Sequence, residues 1–285
     1  MTIQPKPVEF LHNAITLPEF NVFAIEFGGF GIRWYALAYI AGLLIGIYIL
    51  RRETRSPHAV MTADQTDWLL NYLLVGIILG GRLGYVFFYN VAYYLENPLS
   101  ILHVWQGGMS FHGALIGVGL SLLTMAKRHN IAFLALSDRV AMVTPIGLFL
   151  GRLSNFINGE LYGRVTDVPW AMIFPHSDGL PRHPSQLYEA GLEGVLLGLA
   201  MYLYWRRGWL KATGRLTGLF LFGYGLARFL VELVRQPDAH IGLLAGGLSM
   251  GQLLSLPMML LGLYLLRYAL QPSRDQSHDQ GRGHE

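Results

Sequence analysis

The sequence lacks cysteine altogether, with none among its 285 residues. Disulfides and a cysteine nucleophile belonging to the protein are therefore excluded, although a thiol could still enter as a substrate. Charge is also scarce, because Asp, Glu, Lys and Arg make up 14% of the chain, against about a quarter in an ordinary soluble domain. Hydrophobic residues reach 53%. This composition predicts a polytopic membrane protein, and no nucleic-acid partner is expected, because the basic residues lie mostly in short loops between apolar stretches.

Motifs for several enzyme classes are missing too. The chain has no GxxxxGK[ST], GxSxG or HExxH pattern, so nucleotide-binding, serine-hydrolase and zinc-protease functions have no motif support. His103, His112 and His183 lack the pair spacing on one helix face that suggests a metal site, and none is predicted. The first thirty residues contain no unbroken apolar stretch behind a basic start, so a cleavable signal peptide is not expected.

Seven apolar stretches approach the length of about 20 residues that crosses a bilayer core. The predicted fold is all-α: a polytopic membrane protein built as a bundle of about seven transmembrane helices, with a small loop region between spans four and five. The predicted spans are residues 31–50, 68–89, 109–126, 137–156, 185–205, 216–234 and 250–268. Residues 1–30 form an extramembrane or interfacial lead-in and residues 269–285 a polar tail. Glycines at four-residue spacing in several spans predict close helix packing.

Positive charge is concentrated on one side of the predicted spans. The loops after spans one, three and five, together with the C-terminal tail, hold most of the arginine and lysine. By the positive-inside rule the N-terminus then lies outside and the C-terminus in the cytoplasm. The loop between spans four and five is accordingly predicted on the outer side.

Polar residues gather at the outer ends of these spans, where hydrocarbon tolerates them poorly. Residues 151–164 close span four with two arginines, two asparagines and a glutamate. The inner halves are nearly free of charge, apart from Asp138, Arg139 and a glutamate near the middle of span five, Glu193. Arg228 and Glu232 are four apart and are expected to pair, which leaves Arg82 and Arg152 without an obvious local partner. Since a guanidinium matches phosphate oxygens two at a time, the cluster predicts a site for an anionic lipid headgroup.

Each of these residues also has a plainer interpretation. Arg82 could pair only with a neighbouring helix, and Arg152 could extend to the outer interface. His112 could be a hydrogen-bonded packing residue, and Tyr35 could belong to an interfacial aromatic belt. The residues alone leave these alternatives open.

Four motifs resemble one known family. They are GRLSNFINGELYG at 151–163, GGMSFHG at 107–113, RHPSQLYE at 182–189 and RQPD at 235–238. Together they are similar to the signature of the bacterial phosphatidylglycerol–prolipoprotein diacylglyceryl transferases, in the same order and over nearly the whole chain. Ser154 departs from the pattern, which has glycine or alanine there. Because serine is small, the close backbone approach at this position is expected to survive.

The resemblance implies a single integral-membrane catalytic domain of the bacterial inner membrane, with a periplasmic N-terminus, a cytoplasmic C-terminus, an active site toward the outer leaflet and no cofactor. Such an enzyme moves the diacylglyceryl group of phosphatidylglycerol onto the lipobox cysteine of a prolipoprotein. A thioether forms and glycerol phosphate leaves, in the first step of lipoprotein maturation. The implied partners are phosphatidylglycerol, the prolipoprotein signal-peptide and lipobox segment, and membrane lipids. The family's essential residues map onto Tyr35, His112, Arg152, Asn155, Glu160, Gly163 and Arg228, with Tyr224 close by.

The residues suit this chemistry. A free thiol, with a pKa of about 8.5, is only partly ionised at neutral pH, so attack by sulfur needs a base or local positive charge. Arg152 and Arg228 are expected to bind the headgroup phosphate and support its departure, and His112 to accept the thiol proton or orient a group that does. Supporting and substrate-binding roles are expected for Tyr35, Arg82, Asn155, Glu160, Gly163, Tyr224 and Glu232.

Two other functions could use the same arginines. A transporter or flippase for anionic lipids predicts polar residues through the inner halves of the spans and an internal repeat, and the sequence shows neither. A non-catalytic lipid-binding scaffold needs neither a histidine nor so dense a signature. The concentration of polar groups in one leaflet favours chemistry there.

Overall fold

The computed structural model describes residues 14–28, 30–236 and 247–268, and helices dominate these ranges. They are α1 (Trp34–Glu53), α2 (Ala63–Tyr89), α3 (Val91–Glu96), α4 (Phe111–Arg128), α5 (Phe133–Ile157), α6 (Ser185–Glu189), α7 (Leu197–Arg206), α8 (Arg215–Val231) and α9 (Met250–Tyr268). A π-helical segment, Ala190–Leu196, joins α6 to α7 without a break. Short 3-10 turns occur at Pro98–Leu102, Val104–Gln106 and Trp209–Lys211.

Four short strands accompany the helices, so the prediction of an all-α fold is wrong in this respect. β2 (Phe23–Phe27) and β3 (Phe30–Arg33) pair antiparallel, and β1 (Ile15–Thr16) pairs in parallel with β4 (Met172–Ile173). These segments are too short for a spanning helix, and pairing satisfies their backbone hydrogen bonds instead. Because β3 takes up residues 31–33, the first long helix begins at Trp34 rather than at residue 31.

Within the described ranges, four helices, α1, α2, α5 and α9, are long and apolar enough to cross a membrane. Large apolar side chains on their surfaces, such as Leu44 and Leu79, are more than half exposed, as expected where lipid is the surrounding solvent. α9 has the bounds predicted for the seventh span. The third, fifth and sixth predicted spans fall on α4, on residues 185–206 and on α8, which are not among these four helices. The chain is a helical membrane protein.

The chain folds as two compact units, Met1–Gly42 with Ala141–Glu285, and Leu43–Val140. In the second of these, α2 and α4 pack with their backbones almost in contact. A Cβ on Gly84 would lie 2.6 Å from the Cα of Gly113, and one on Gly80 would lie 2.8 Å from the Cα of Gly117. Only residues without side chains allow such an approach. Glycine-mediated packing is confirmed for these two helices.

Replacing Gly117 by alanine is expected to destabilise this helix pair. The new Cβ would lie 2.9 Å from the carbonyl carbon of Gly76 and from the Cα of Gly80, so the helices must move apart at a cost of about 1–3 kcal/mol. The thermal unfolding midpoint of the purified protein in detergent should fall by several degrees. Gly119→Ala is the matched control on the same helix, because no described atom lies within 4 Å of its added Cβ. Equal losses in both variants would contradict the close packing.

In the other unit, glycines also bring helices together. A Cβ on Gly218 of α8 would lie 2.9 Å from the carbonyl oxygen of Gly262 on α9, and one on Gly194 of the π-helical segment would lie 2.6 Å from the Cβ of Phe149 on α5. α6 and the π-helical segment also pack against α8. These contacts place the C-terminal part of α5, the residues around Glu189 and the end of α8 next to one another.

Candidate active site

Helices of this unit bring six ionisable side chains to one point, here called the arginine–glutamate cluster. Its members are Arg152, Glu189, Glu193, Arg228, Glu232 and Arg235. Arg152 lies near the end of α5, and Glu189 ends α6 where the π-helical segment begins. Arg228 lies in the last turn of α8 and Glu232 directly follows that helix. The cluster contains equal numbers of arginines and glutamates, so opposite charges balance within it.

Glu189 is the centre of the cluster. Its Oε1 atom accepts hydrogen bonds from Nη1 of Arg228 at 2.5 Å and from Nη1 of Arg235 at 3.1 Å. Its Oε2 atom lies 3.2 Å from Nη1 of Arg152, an ion pair without hydrogen-bond geometry. The carboxylate is fully buried. One buried anion therefore holds three guanidiniums, and their relative positions depend on it.

Arg152 has a second carboxylate partner in Glu193. Nε and Nη2 of Arg152 donate to Oε2 of Glu193 at 3.2 and 3.1 Å. The sequence shows no obvious local partner for Arg152, and both of its partners in the structure come from a helix more than thirty residues further along the chain. Glu193, expected to lie apart near the middle of span five, belongs to the cluster.

Arg228 contacts Glu189 through Nη1 and a second carboxylate, that of Glu232, through Nη2. Nη2 of Arg228 lies 2.5 Å from Oε1 of Glu232, so the pairing predicted from their four-residue spacing is confirmed. The second oxygen of Glu232 accepts a hydrogen bond from Oγ of Ser249 at 2.7 Å. Ser249 lies immediately before α9, and it ties the start of that helix to the cluster.

The cluster presents cations outward and keeps its anions inside. The side chains of Arg152 and Arg228 are 16% and 19% exposed, whereas those of Glu189 and Glu193 are fully buried. A guanidinium has five N–H donors, and among the described residues three from Arg152 and two from Arg228 face carboxylates. The remaining donors are suited to an anion that approaches from the exposed side.

A second polar group adjoins Arg152. Asn155 lies three residues further on α5 and therefore on the same face; its Nδ2 donates to the hydroxyl of Tyr35 and, at 3.4 Å, to Oε1 of Glu160. Nδ2 of Asn158 donates to the same oxygen at 3.2 Å. Tyr35 lies in the first turn of α1. The structure thus brings together the predicted residues Tyr35, Asn155 and Glu160.

Tyr224 lies on α8, one turn before Arg228. It interacts electrostatically with Glu193, Arg152, Arg228 and Glu189, and its ring stacks on that of Phe220 with centroids 5.8 Å apart. Tyr224 therefore lines the arginine–glutamate cluster, next to the two exposed guanidiniums.

Gly163 fixes the loop after α5 against the segment that carries Arg235. Its N–H donates to the carbonyl of His183 at 2.8 Å, and the N–H of the next residue, Arg164, donates to the carbonyl of Val234 at 2.8 Å. A Cβ on Gly163 would lie 2.6 Å from both the Cβ of His183 and the carbonyl oxygen of Val234. No side chain fits at this position.

An arginine also organises this loop from within. Arg182 donates to Asp178 through Nε at 3.0 Å and Nη2 at 2.6 Å, and through Nη1 to the carbonyl of Gly163 at 3.1 Å. This pairing holds the pKa of the Asp178 carboxyl below its usual range. The pair therefore stabilises the fold above the ordinary aspartate pKa and loses that effect as the pH falls through the lowered one. Because the Asp178 side chain is 45% exposed, the contribution is at most about 1 kcal/mol.

Arg82 and His112 belong to the other unit. Arg82 is buried, and its five N–H donors face the carbonyls of residues 100, 101, 103, 107 and 108 at 2.5–3.3 Å. The sequence shows no obvious local partner for Arg82, and its partners in the structure are backbone carbonyls of the loop between α3 and α4. His112 is the second residue of α4. The helix begins directly after Ser110, whose hydroxyl accepts from the N–H of Gly113 at 3.1 Å.

The chain matches the family model described as "Prolipoprotein diacylglyceryl transferase" over residues 22–268. It belongs to this family. Relatives named phosphatidylglycerol–prolipoprotein diacylglyceryl transferase are 51% identical in Paramagnetospirillum magneticum and 52% identical in Methylocella silvestris, each over 260 residues. These alignments cover 90% of this chain and 97% and 96% of the relatives. A relative of the same name in Rhodospirillum rubrum is 53% identical over 255 residues, with 88% and 92% covered. The resemblance carried by the four motifs is confirmed.

Ser154, the departure from the transferase pattern, fits without distortion. It is buried, and its Oγ lies 3.1 Å from the carbonyl of Leu150 and 3.4 Å from the carbonyl of Trp34 at the start of α1. The hydroxyl is thus satisfied by the backbone of the two helices. The small side chain keeps the close approach next to Tyr35, as expected.

One cluster member lies in a transferase motif to which the sequence assigns no separate role: Arg235 opens the RQPD motif. For Glu193 a signal exists, since it lies four residues after Glu189 and helical residues at that spacing share a face. The spacing along one helix does not show that the carboxylates of Glu189 and Glu193 both face Arg152.

Proposed function

We propose that this protein transfers the diacylglyceryl group of phosphatidylglycerol to the lipobox cysteine of prolipoproteins, forming a thioether and releasing glycerol phosphate in the first step of lipoprotein maturation. The observation that carries the proposal is the similarity, over about nine-tenths of the chain, to relatives named for this reaction. The partly exposed guanidiniums of Arg152 and Arg228 support it independently, because they suit a phosphate.

The transfer exchanges a carbon–oxygen bond for a carbon–sulfur bond. The cysteine sulfur attacks the glycerol carbon that carries the phosphate ester, the carbon–oxygen bond breaks, and its electron pair stays on the phosphate oxygen. The thiol proton passes to a base. Because a phosphodiester becomes a monoester, negative charge grows on the leaving group. Arg152 and Arg228 stabilise that charge, and one such donor is typically worth about 100- to 1000-fold in rate.

The remaining residues hold the substrates in place. Tyr35, Asn155 and Glu160 form a hydrogen-bonded group beside Arg152, which suits the hydroxyl-rich headgroup of phosphatidylglycerol. Tyr224 lines the arginine–glutamate cluster. Gly163 and Glu232 support this site through the loop and ion-pair contacts described above, and Arg82 supports the loop between α3 and α4 within its own unit.

The proposal includes the membrane arrangement. We infer one integral-membrane catalytic domain of about seven spans in the bacterial inner membrane, with a periplasmic N-terminus, a cytoplasmic C-terminus and a site that opens toward the outer leaflet. The excess of arginine and lysine in alternate loops supports the orientation. In this arrangement the loop between α5 and α6 is a small periplasmic region over the site.

The decisive experiment uses the purified full-length protein in detergent with phosphatidylglycerol and a synthetic lipobox peptide. We expect the peptide to gain the mass of one diacylglyceryl group, with release of glycerol phosphate. A peptide with serine in place of the cysteine should gain nothing. A flippase would move the lipid across vesicles without an adduct, and a scaffold would bind it unchanged. Binding of the lipid without any adduct would overturn the proposal.

His112→Ala is expected to lower kcat about 100-fold at pH 7, which is within the usual range for loss of a general base. The remaining rate should rise with pH toward the pKa of the thiol, because ionisation in solution then replaces the missing base. His129→Ala, at the opposite end of the same helix, is the control and should keep the wild-type rate. A normal rate in His112→Ala, with activity lost in Arg152→Ala, would exclude the assignment of the base.

A further inference from the structure

We propose that Glu193 is a positioning residue for the transfer: it fixes the Arg152 guanidinium so that the remaining N–H groups of that side chain face the lipid phosphate. The inference rests on the proposed function and adds to it a residue that contacts neither substrate. Three features of the structure support this proposal. Two carboxylates contact different nitrogens of the Arg152 guanidinium, both hydrogen bonds of Glu193 go to Arg152, and Glu193 lies in a π-helical segment.

The two carboxylates engage different parts of the guanidinium. Glu193 takes Nε and one N–H of Nη2, and Glu189 faces Nη1. One N–H on Nη1 and one on Nη2 of Arg152 then have no carboxylate partner among the described residues. These two donors belong to the pair of nitrogens that can bind two oxygens of a phosphate at once. The orientation that frees them depends on the contact with Glu193.

Among the described residues, Glu193 makes hydrogen bonds and an ion pair with Arg152 alone. Its Oε2 atom makes both hydrogen bonds to Arg152, and its Oε1 atom accepts none among the described residues. Glu189, in contrast, divides its two oxygens among three arginines. Without Glu193, Arg152 would keep only the shared ion pair, whose geometry is too poor for a hydrogen bond. The guanidinium would then be free to rotate about its own axis.

The backbone around Glu193 is built to bring it to Arg152. In a π-helical segment the hydrogen bonds run from i to i+5, and such segments are frequent at functional sites. Glu189 immediately precedes this segment and Glu193 lies within it, and both carboxylates face Arg152. Gly194 lets this segment lie against Phe149, which is one turn before Arg152 on α5. A Cβ added to Gly194 would lie 2.6 Å from the Cβ of Phe149.

A double-mutant cycle tests the proposal. Glu193→Gln keeps the size of the side chain and should lower kcat about tenfold in the wild-type background, a loss typical of coupled neighbours, while the KM for the peptide stays unchanged. In an Arg152→Lys background the same substitution should cost less than about twofold, because lysine has no planar fork to orient. A tenfold loss in both backgrounds would overturn the proposal, since Glu193 would then act independently of Arg152.

Binding of short-chain phosphatidylglycerol to the same four proteins gives a second readout. We expect the dissociation constant to rise upon Glu193→Gln only where Arg152 is present. If the wild-type protein binds this lipid but forms no thioether, the proposed function fails, while the binding cycle still tests whether Glu193 acts through Arg152. If transfer occurs and both cycles are additive, the proposal for Glu193 alone fails.

Two alanine substitutions cover the case in which Glu193→Gln does not fold. Gly194→Ala should push the π-helical segment away from Phe149 and reproduce the loss of kcat. Gly198→Ala, one turn further along the same helix, adds a Cβ at an ordinary 3.4 Å from the Cβ of Pro145 and should leave kcat near the wild-type value. Normal turnover in Gly194→Ala, or equal losses in both variants, would overturn the proposal.

Discussion

Glu189→Gln is expected to abolish transfer, with kcat/KM falling by at least about 1000-fold. The substitution removes the one negative charge that three arginines share. Arg235 then keeps only a distant contact with Glu232, at 3.7 Å. Because removing one partner of a buried ion pair leaves an uncompensated charge, the free energy of unfolding should fall by about 3–5 kcal/mol. Initial rates of thioether formation and the thermal midpoint, measured on one preparation, check both effects.

The control for this prediction is Glu96→Gln, which makes the same chemical change at an exposed position of α3 and should alter neither quantity. Glu189→Gln should also be clearly more damaging than Glu193→Gln, because the first residue holds three arginines and the second holds one. A Glu189→Gln variant that keeps a tenth of the wild-type rate would show that the arginines are held in place without this carboxylate.

Gly163→Ala is the second substitution expected to have a large effect. The added methyl group would lie 2.6 Å from the carbonyl oxygen of Val234 and from the Cβ of His183, and backbone atoms cannot rotate away as a side chain can. The loop and the segment next to Arg235 must therefore separate. We expect a loss of about 1–3 kcal/mol in the free energy of unfolding, as for other overpacked sites, and a fall in kcat/KM of about 100-fold.

Gly147→Ala, on α5 in the same unit, is the matched control, because no described atom lies within 4 Å of its added Cβ. The thermal midpoint and the rate of thioether formation should both stay near the wild-type values. If Gly163→Ala lowers stability but leaves kcat/KM unchanged at a temperature where the protein is folded, the loop does not help to place Arg235.

The long helices could be predicted because each depends on the local run of apolar residues. α9 has the predicted bounds, and residues 185–206 differ from the predicted fifth span by one residue. The strands could not be predicted in this way. β1 pairs with β4, more than 150 residues away, and the apolar content of two residues carries no information about such a partner.

For the site, sequence reasoning succeeded where the contact is local. The pair Arg228 and Glu232 follows from their spacing on one helix, and the motifs identified Arg152, Asn155 and Glu160 through the family resemblance. The partners of Arg152 lie on another helix, and those of Arg82 are carbonyl groups that no residue type reveals. The partners of Arg152 and of Arg82 both depend on how helices and loops pack against one another. The order of residues along one helix does not determine that packing.

The π-helical segment has a consequence for comparing sequences within the family. A π turn holds one residue more than the α turn it replaces, so the segment behaves in an alignment like a one-residue insertion inside a helix. Removing that residue would restore an α-helix and leave the residues after it on nearly the same faces as before. An alignment with relatives that have no extra residue therefore needs a one-residue gap within this segment if the carboxylate that faces Arg152 is to stay in one column.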